Sequence, residues 1–445
     1  MNSDNVLRIF IDHSGHELLN FGDTSMLQTA VYRLKKIWPE AIIYVFSKSE
    51  KRLEKYCPGT IAIHPNAGLA GKNIYRLGIF PRHLIKKLPE LYYKKIIKLE
   101  KKLYVNSPKI HKLFMTLRVK LRPEKIDVEI GYKYLSLIAS SDLVLATGGG
   151  YLTDDFKRHA CSVLETIEMA IEHGKITAFL GQGIGPVSEK KLEQQMHRIL
   201  PNVDFISLRE KRCGLPILLR LGVQRSKIVT TGDDAIELAN RMRTSVLGDL
   251  VGINLRITSY SEVGSQIRDD VAKILRVFAK KQKTRLIPIP ISFHRNGEDN
   301  RALEKIIPSA DYKLYRDIRL DSSAQLIDRV SDCRVVVTGS YHAGVFALSQ
   351  GIPVIGLAKS QYYKDKFQGL ADQFRGGCKV LLLDDPNRNQ ILSATLENFW
   401  DHSSLLRPGL LDSANRQIEK GQRAYQRLPE LVALKKVRAD KVSKY

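Results

Sequence analysis

From residue 7 onward, short β-branched runs alternate with stretches of helical periodicity. Strand-like residues 7–11 precede a helical pattern over 24–37 and a second strand over 41–46. After a lysine-rich stretch the alternation resumes, with strands over 143–146, 176–180, 205–208 and 227–230 and helices near 162–172 and over 188–200. Residues 241–248 (RMRTSVLG) are polar and hold no clear strand. A fresh series follows, with strands over 251–255, 285–289, 312–315, 335–337, 353–357 and 380–383. Repeated βαβ units with continuous apolar strands predict an α/β protein of parallel sheets buried on both faces. We expect two Rossmann-like domains facing a cleft. Residues 1–243 form the first, with an insertion over about 70–125; residues 249–400 form the second; and 401–445 form basic helices that can cross back.

Composition narrows the class. The 445 residues exceed what one core usually serves, and 43% hydrophobic with 27% charged content is ordinary for a globular protein. No apolar run reaches membrane-spanning length, and the hydrophobic stretch 6–11 is broken by Arg8, so it reads as a first strand rather than a leader. Five cysteines without CxxC spacing fit free thiols in a reducing cytoplasm, not a disulfide framework or zinc site. His13 and His16 lie at a strand end without acidic company, so no metal cluster is expected.

Charge adds a second feature. The net charge is +24, and residues 72–125 hold sixteen Lys/Arg against Glu90, Glu100 and Glu124. Leu88, Tyr92, Ile96, Leu99 and Leu103 recur there at helical spacing, with Lys94, Lys95, Lys98, Lys101 and Lys102 on the other faces. A basic amphipathic helix of this kind suits an anionic membrane surface or nucleic acid phosphates. Because no nucleic-acid motif accompanies it, the membrane surface is favoured.

Candidate chemistry gathers at strand ends. The segment Val335-Val336-Val337-Thr338-Gly339-Ser340-Tyr341-His342 carries a histidine from a buried strand onto a helix start, where open α/β sheets bind ligands. Three further loops are expected on the same side. Asn20-Phe21-Gly22-Asp23 offers Asp23 as a helix cap; Gly148, Gly149 and Gly150 let backbone approach a ligand; Gly181-Gln182-Gly183-Ile184-Gly185-Pro186 follows a buried strand but lacks dinucleotide spacing. Arg209 and Arg256 end strands and can grip a carboxylate or phosphate, while Asp233 can orient one of them. Lys359 and Lys364 lie beyond another strand end.

Taken in order, these motifs resemble the polysaccharide pyruvyl transferase family over roughly residues 7–385. The motifs are the NFGD segment, the glycine triplet, GQGIGP, Ser207-Leu208-Arg209-Glu210, Gly232-Asp233 and His342-Ala343. The resemblance implies a GT-B-like fold and transfer of pyruvate from phosphoenolpyruvate, as a ketal, onto a sugar of a cell-surface polysaccharide such as an exopolysaccharide, or its lipid-linked precursor. With phosphoenolpyruvate as donor substrate no cofactor is expected, and the basic helix would hold a cytoplasmic enzyme at the inner face of the cell membrane, near its acceptor. Arg209 and His342 would contact the donor anion, and Asp23, Asp154 or Asp233 would take a hydroxyl proton. The chain departs from the family in two places. Ser340 stands where an arginine commonly precedes the histidine by two residues, so Arg256, Lys359 or Lys364 would have to supply that charge. Glu210 and Cys213 replace the acid and hydroxyl of an Arg-Asp-x-x-Ser motif. A nucleotide-sugar glycosyltransferase and a noncatalytic membrane-associated scaffold are the rival readings.

Overall fold

Buried apolar runs pair into two wholly parallel sheets. The computed structural model describes residues 6–120, 126–255, 264–294, 298–316 and 320–442. The first sheet contains β1 (Arg8–Asp12), β2 (Ile42–Phe46), β3 (Ile61–Ile63), β4 (Leu143–Leu152), β5 (Ile176–Ile184), β6 (Phe205–Leu208) and β7 (Ile228–Thr230). The second contains β8 (Leu250–Asn254), β9 (Leu286–Pro288), β10 (Cys333–Thr338), β11 (Val354–Ala358) and β12 (Cys378–Leu382). Their spatial orders are β3-β2-β1-β4-β5-β6-β7 and β12-β11-β10-β8-β9. Each order reverses once, at β1/β4 and at β8/β10. Helices on either side of such a reversal diverge and open a crevice at the strand carboxyl ends.

Glycine-rich segments expected as loops are strand instead. β4 runs through Gly148, Gly149 and Gly150, and β5 through Gln182 and Gly183. Low intrinsic strand preference hides glycine from a sequence reading, but here the two segments complete each other. Gly149 pairs with Gln182, whose amide donates to the carbonyls of Gly149 (2.9 Å) and Gly183 (3.1 Å). Residues 312–315 are not a strand; they lie in the helix Ser309–Arg316. Four alternating residues cannot discriminate the two periods, and Pro308 immediately before this segment suits a helix start.

The basic insertion is helical: Pro65–Leu77, Arg82–Ile85, Glu90–Asn106 and Pro108–Lys120 precede Val128–Ser140. Its longest helix turns an unexpected edge inward. Glu100 is buried, accepting from Phe80 N (2.7 Å) and pairing with Arg82 (2.6 Å), and Tyr104 packs on His111. These contacts draw in Tyr93, Ile97, Glu100 and Tyr104, so Leu88, Tyr92 and Leu99 of the expected buried stripe remain exposed.

The helix Arg388–Val442 leaves the second sheet and returns over the first domain. There a buried network fastens it. Arg33 pairs with Asp234 (2.6 Å) and Glu237 (2.7 Å), and Tyr425 donates to Asp234 (2.9 Å) while its ring lies 4.9 Å beneath the guanidinium. Removing one partner of a buried ionic group strands the other charges in a poorly solvated interior. Arg33→Ala is therefore expected to lower unfolding stability by about 3–5 kcal/mol. Denaturant titration checks this, and a loss within the range of an exposed ion pair would show that the network does not hold the helix.

Candidate functional site

Both sheet reversals open onto one cleft of about 420 Å³. The first sheet's side contributes Ser14, Asp23, Gly150 and Arg209; the second contributes Ser340, His342 and Lys366.

Arg209 follows β6 directly, its N–H donating to the Gln182 carbonyl (3.1 Å). Its side chain is among the largest that are completely buried. Glycine creates the slot. A Cβ at Gly183 would lie 2.6 Å from the guanidinium Nε, and one at Gly150 would lie 2.8 Å from Nη2. Tyr341 places its ring 4.2 Å from the guanidinium carbon, and Asp233 comes within 3.6 Å of Nη1. Nε and Nη1 still make no hydrogen bond among the described residues. Buried donors are ordinarily satisfied, so this guanidinium is suited to an anion.

His342 occupies the first turn of the helix Tyr341–Ser349, after β10. Gly22 makes room for its ring, since a Cβ there would sit 2.1 Å from the imidazole. Nε2 lies 3.7 Å from Asp233 Oδ2, so one carboxylate serves both His342 and Arg209. Burial pushes the Asp233 carboxyl up to about 6, against the opposing pull of Arg209. Asp23 is not the helix cap. The helix Phe21–Ile37 begins earlier than expected and is capped by Asn20, whose side chain accepts from Gly22 N (3.0 Å) and Asp23 N (3.3 Å). Asp23 thus sits within the first turn and faces the cleft.

A cation that the sequence reading missed completes the wall. Lys366 lies on the helix Gln361–Gln373 with its ammonium 3.7 Å from the Tyr362 ring centre and donating to the Tyr362 hydroxyl. Tyr362 in turn donates to the Gly150 carbonyl across the cleft (3.0 Å). A Cβ at Gly150 would be 2.5 Å from Lys366 Nζ, so Arg209 and Lys366 converge over one glycine. Helical spacing explains the omission. Residues 362 and 366 share a face, whereas Lys364 turns away to pair with Asp384 (3.0 Å). The Tyr362/Lys366 pair at four-residue spacing was the available signal. Lys359 does not line the cleft, and Arg256 lies outside the described residues.

The remaining candidates have structural places. Gly148 allows β4 to approach β5, where a Cβ would meet the Gly181 carbonyl at 2.3 Å. Gly149 and Gln182 form the bridge between those strands. Asp154 accepts from Ser188 N (2.8 Å) and Glu189 N (3.1 Å), which engages it in a turn outside the cleft. His13 and His16 do have acidic company: His16 contacts Asp12 (3.2 Å), and Lys72 approaches the same carboxylate (3.9 Å). His159 joins this cluster and lines the cleft, its pKa pushed down to about 4 by burial. No group of three or more His, Cys, Asp or Glu among the described residues could hold a metal ion.

Comparison with known proteins agrees with this architecture. The profile of the polysaccharide pyruvyl transferase family matches residues 20–360. No curated protein sequence matches the chain. Among solved structures, a protein described as a UDP-N-acetylglucosamine 2-epimerase from Listeria monocytogenes superposes with TM-score 0.56 and 12% identity, covering 94% of each chain. Anabaena HepE in complex with UDP gives 0.54 and 11%, covering 96% of this chain and 100% of that one. The UDP-GlcNAc 2-epimerase from Neisseria meningitidis bound to UDP-GlcNAc gives 0.51 and 11%, covering 96% and 99%. These likenesses identify the fold as GT-B-like.

Two outcomes follow from the geometry. A carboxyl with a raised native pKa contributes stability that is present below its unfolded value and is lost as pH rises through the native value. For Asp233 that window runs from 3.8 to about 6. Asp233→Asn should therefore match the native protein near pH 4 and exceed its stability at pH 7.5 by about 3 kcal/mol, measured by unfolding across pH. Curves that stay parallel would contradict the raised pKa. Gly22→Ala should displace the imidazole; an NMR titration would then show altered His342 shifts, whereas an unchanged signal would contradict the close packing.

Proposed function

The chain belongs to the polysaccharide pyruvyl transferase family, and on that premise we propose that the cleft transfers pyruvate from phosphoenolpyruvate to two hydroxyls of a saccharide acceptor, forming a ketal. The observation carrying this reading is the convergence of Arg209 and Lys366 over Gly150, with His342 alongside. A small anion bearing both carboxylate and phosphate needs two cations at close range, and a side chain at Gly150 would fill their meeting point.

The chemistry then assigns roles. Protonation of the donor's methylene carbon places positive charge on the adjacent carbon, which one acceptor hydroxyl attacks. Its proton passes to a base. The carbon–oxygen bond to phosphate breaks, and the second hydroxyl closes the ketal as its proton passes to the departing phosphate, so that phosphoenolpyruvate and a diol give ketal and inorganic phosphate. His342 is the general acid, oriented by Asp233 at 3.7 Å. Arg209 and Lys366 neutralise carboxylate and phosphate as charge moves onto the leaving group. Asp23, in the first turn of its helix, takes the hydroxyl proton. Lys366 supplies the charge that Ser340 lacks, reaching the site from a different helix. The acceptor is a cell-surface polysaccharide or its lipid-linked precursor.

Phosphate release on mixing with phosphoenolpyruvate and acceptor saccharide tests the reading. Release of free nucleotide from a UDP-sugar instead would establish the glycosyltransferase alternative suggested by the UDP-bound structural neighbours. Turnover unaffected by His342→Ala would remove the histidine from the mechanism. Lys366→Met should raise KM for phosphoenolpyruvate about 10- to 100-fold, as expected for losing a hydrogen bond to a charged group worth about 1.5–3 kcal/mol. An unchanged KM would return the missing charge to another residue.

A further inference from the structure

We propose that the helical insertion docks the protein on an anionic lipid surface, with the apolar outer face of Glu90–Asn106 and Pro108–Lys120 entering the boundary between headgroups and acyl chains. This does not rest on the pyruvyl-transfer reading.

The helix Pro108–Lys120 buries His111 and Met115 against the rest of the insertion. That leaves Ile110, Leu113, Phe114 and Leu117 outward, at the i, i+3, i+4, i+7 spacing of one helical face. They are 50%, 61%, 46% and 54% exposed, an arrangement opposite to that of a helix whose apolar face serves its own core. The preceding helix repeats the pattern. With Glu100 and Tyr104 turned inward, Leu91, Tyr92 and Leu99 are each more than half exposed. Scattered apolar residues are normal on a surface, but a continuous stripe on one helix beside a second group marks a place of contact.

Charge decides what is contacted. Residues 80–120 carry twelve Lys/Arg and only Glu90 and Glu100. These carboxylates offset little of it: Glu90 pairs with Lys94 at the surface, and Glu100 is buried against Arg82. Lys95, Lys98, Lys102, Lys109 and Lys120 remain exposed around the apolar groups. A second copy of the chain would set two strongly cationic faces together. A nucleic acid would satisfy the lysines and leave leucine and isoleucine side chains without partner chemistry. An anionic bilayer meets both demands, because lysine stems can lie along the interface with ammonium groups among the headgroups while the apolar stripe enters below them. No helix among the described residues is long and apolar enough to cross a membrane, so the contact is interfacial.

Vesicle co-sedimentation of the full chain tests this. Binding is expected on phosphatidylcholine vesicles containing about 30% phosphatidylglycerol, at least about tenfold weaker on phosphatidylcholine alone, and reduced by high salt. The triple variant Ile110→Gln/Leu113→Gln/Leu117→Gln should lose at least about tenfold in binding to the anionic vesicles. These side chains are exposed, and an unchanged thermal melt checks that the fold survives. Substituting Lys95, Lys98 and Lys102 by Gln should weaken binding by a comparable factor. Equal binding to neutral and anionic vesicles, indifference to the triple variant, or capture of an oligonucleotide without vesicle binding would each overturn the proposal. Phosphate release with a soluble acceptor reads out the catalytic proposal separately.

Discussion

The site depends on keeping a buried arginine charged between two domains. Arg209 has lost its water and gains partial compensation from Asp233 and the Tyr341 ring, yet two of its nitrogens make no hydrogen bond among the described residues. Such a group is tolerable only where the surrounding backbone leaves it room and an anion can reach it. Gly183 and Gly150 provide the room, and the opening between the sheets provides access. Gly22 does the same for His342. Three glycines thus act through the volume they leave vacant, each beside a charged or titratable side chain.

That arrangement requires two domains held at a fixed separation. Tyr362 reaches the Gly150 carbonyl from the second domain, Phe21 N donates to the Ile291 carbonyl, and Phe293 N donates to that of Leu19. The returning C-terminal helix adds its own fastening at Arg33. Because Asp234 belongs to that fastening while its neighbour Asp233 faces Arg209 and His342, two adjacent carboxylates link the domain-bracing network to the cleft. One is engaged by Arg33 and Tyr425, and the other is pushed by burial toward neutrality.

The insertion is a separate solution to a separate problem. Its interior joins polar contacts, with Glu100 capping a turn and Tyr75 donating to Glu172, to a different apolar set, Ile74, Tyr104 and Met115, from the stripe most apparent in its sequence. Burying those polar groups consumes the inward face and leaves leucines outside. The outer face therefore combines aliphatic side chains and lysines in a way that a purely structural helix would avoid.

Much of the fold follows from local pattern: continuous Val, Ile and Leu runs such as 335–337 suit strands buried on both faces, and their alternation with helical periods selects parallel sheets in two Rossmann-like units. Asp23, Arg209, Ser340 and His342 were legible as cleft residues because strand ends in such sheets share one side. Lys366 was not, since membership of the cleft depends on which face of Gln361–Gln373 meets the other domain, a matter of packing between residues far apart in the chain. Nor did glycine reveal its use; Gly148 to Gly150 read as a loop, while the tertiary structure makes them strand because a second glycine-rich strand lies beside them. Sequence alone determined which chemistry was present and at which end of each sheet it would emerge. Only the folded arrangement decided which cations meet, because that depends on distances across an interface that no local pattern encodes.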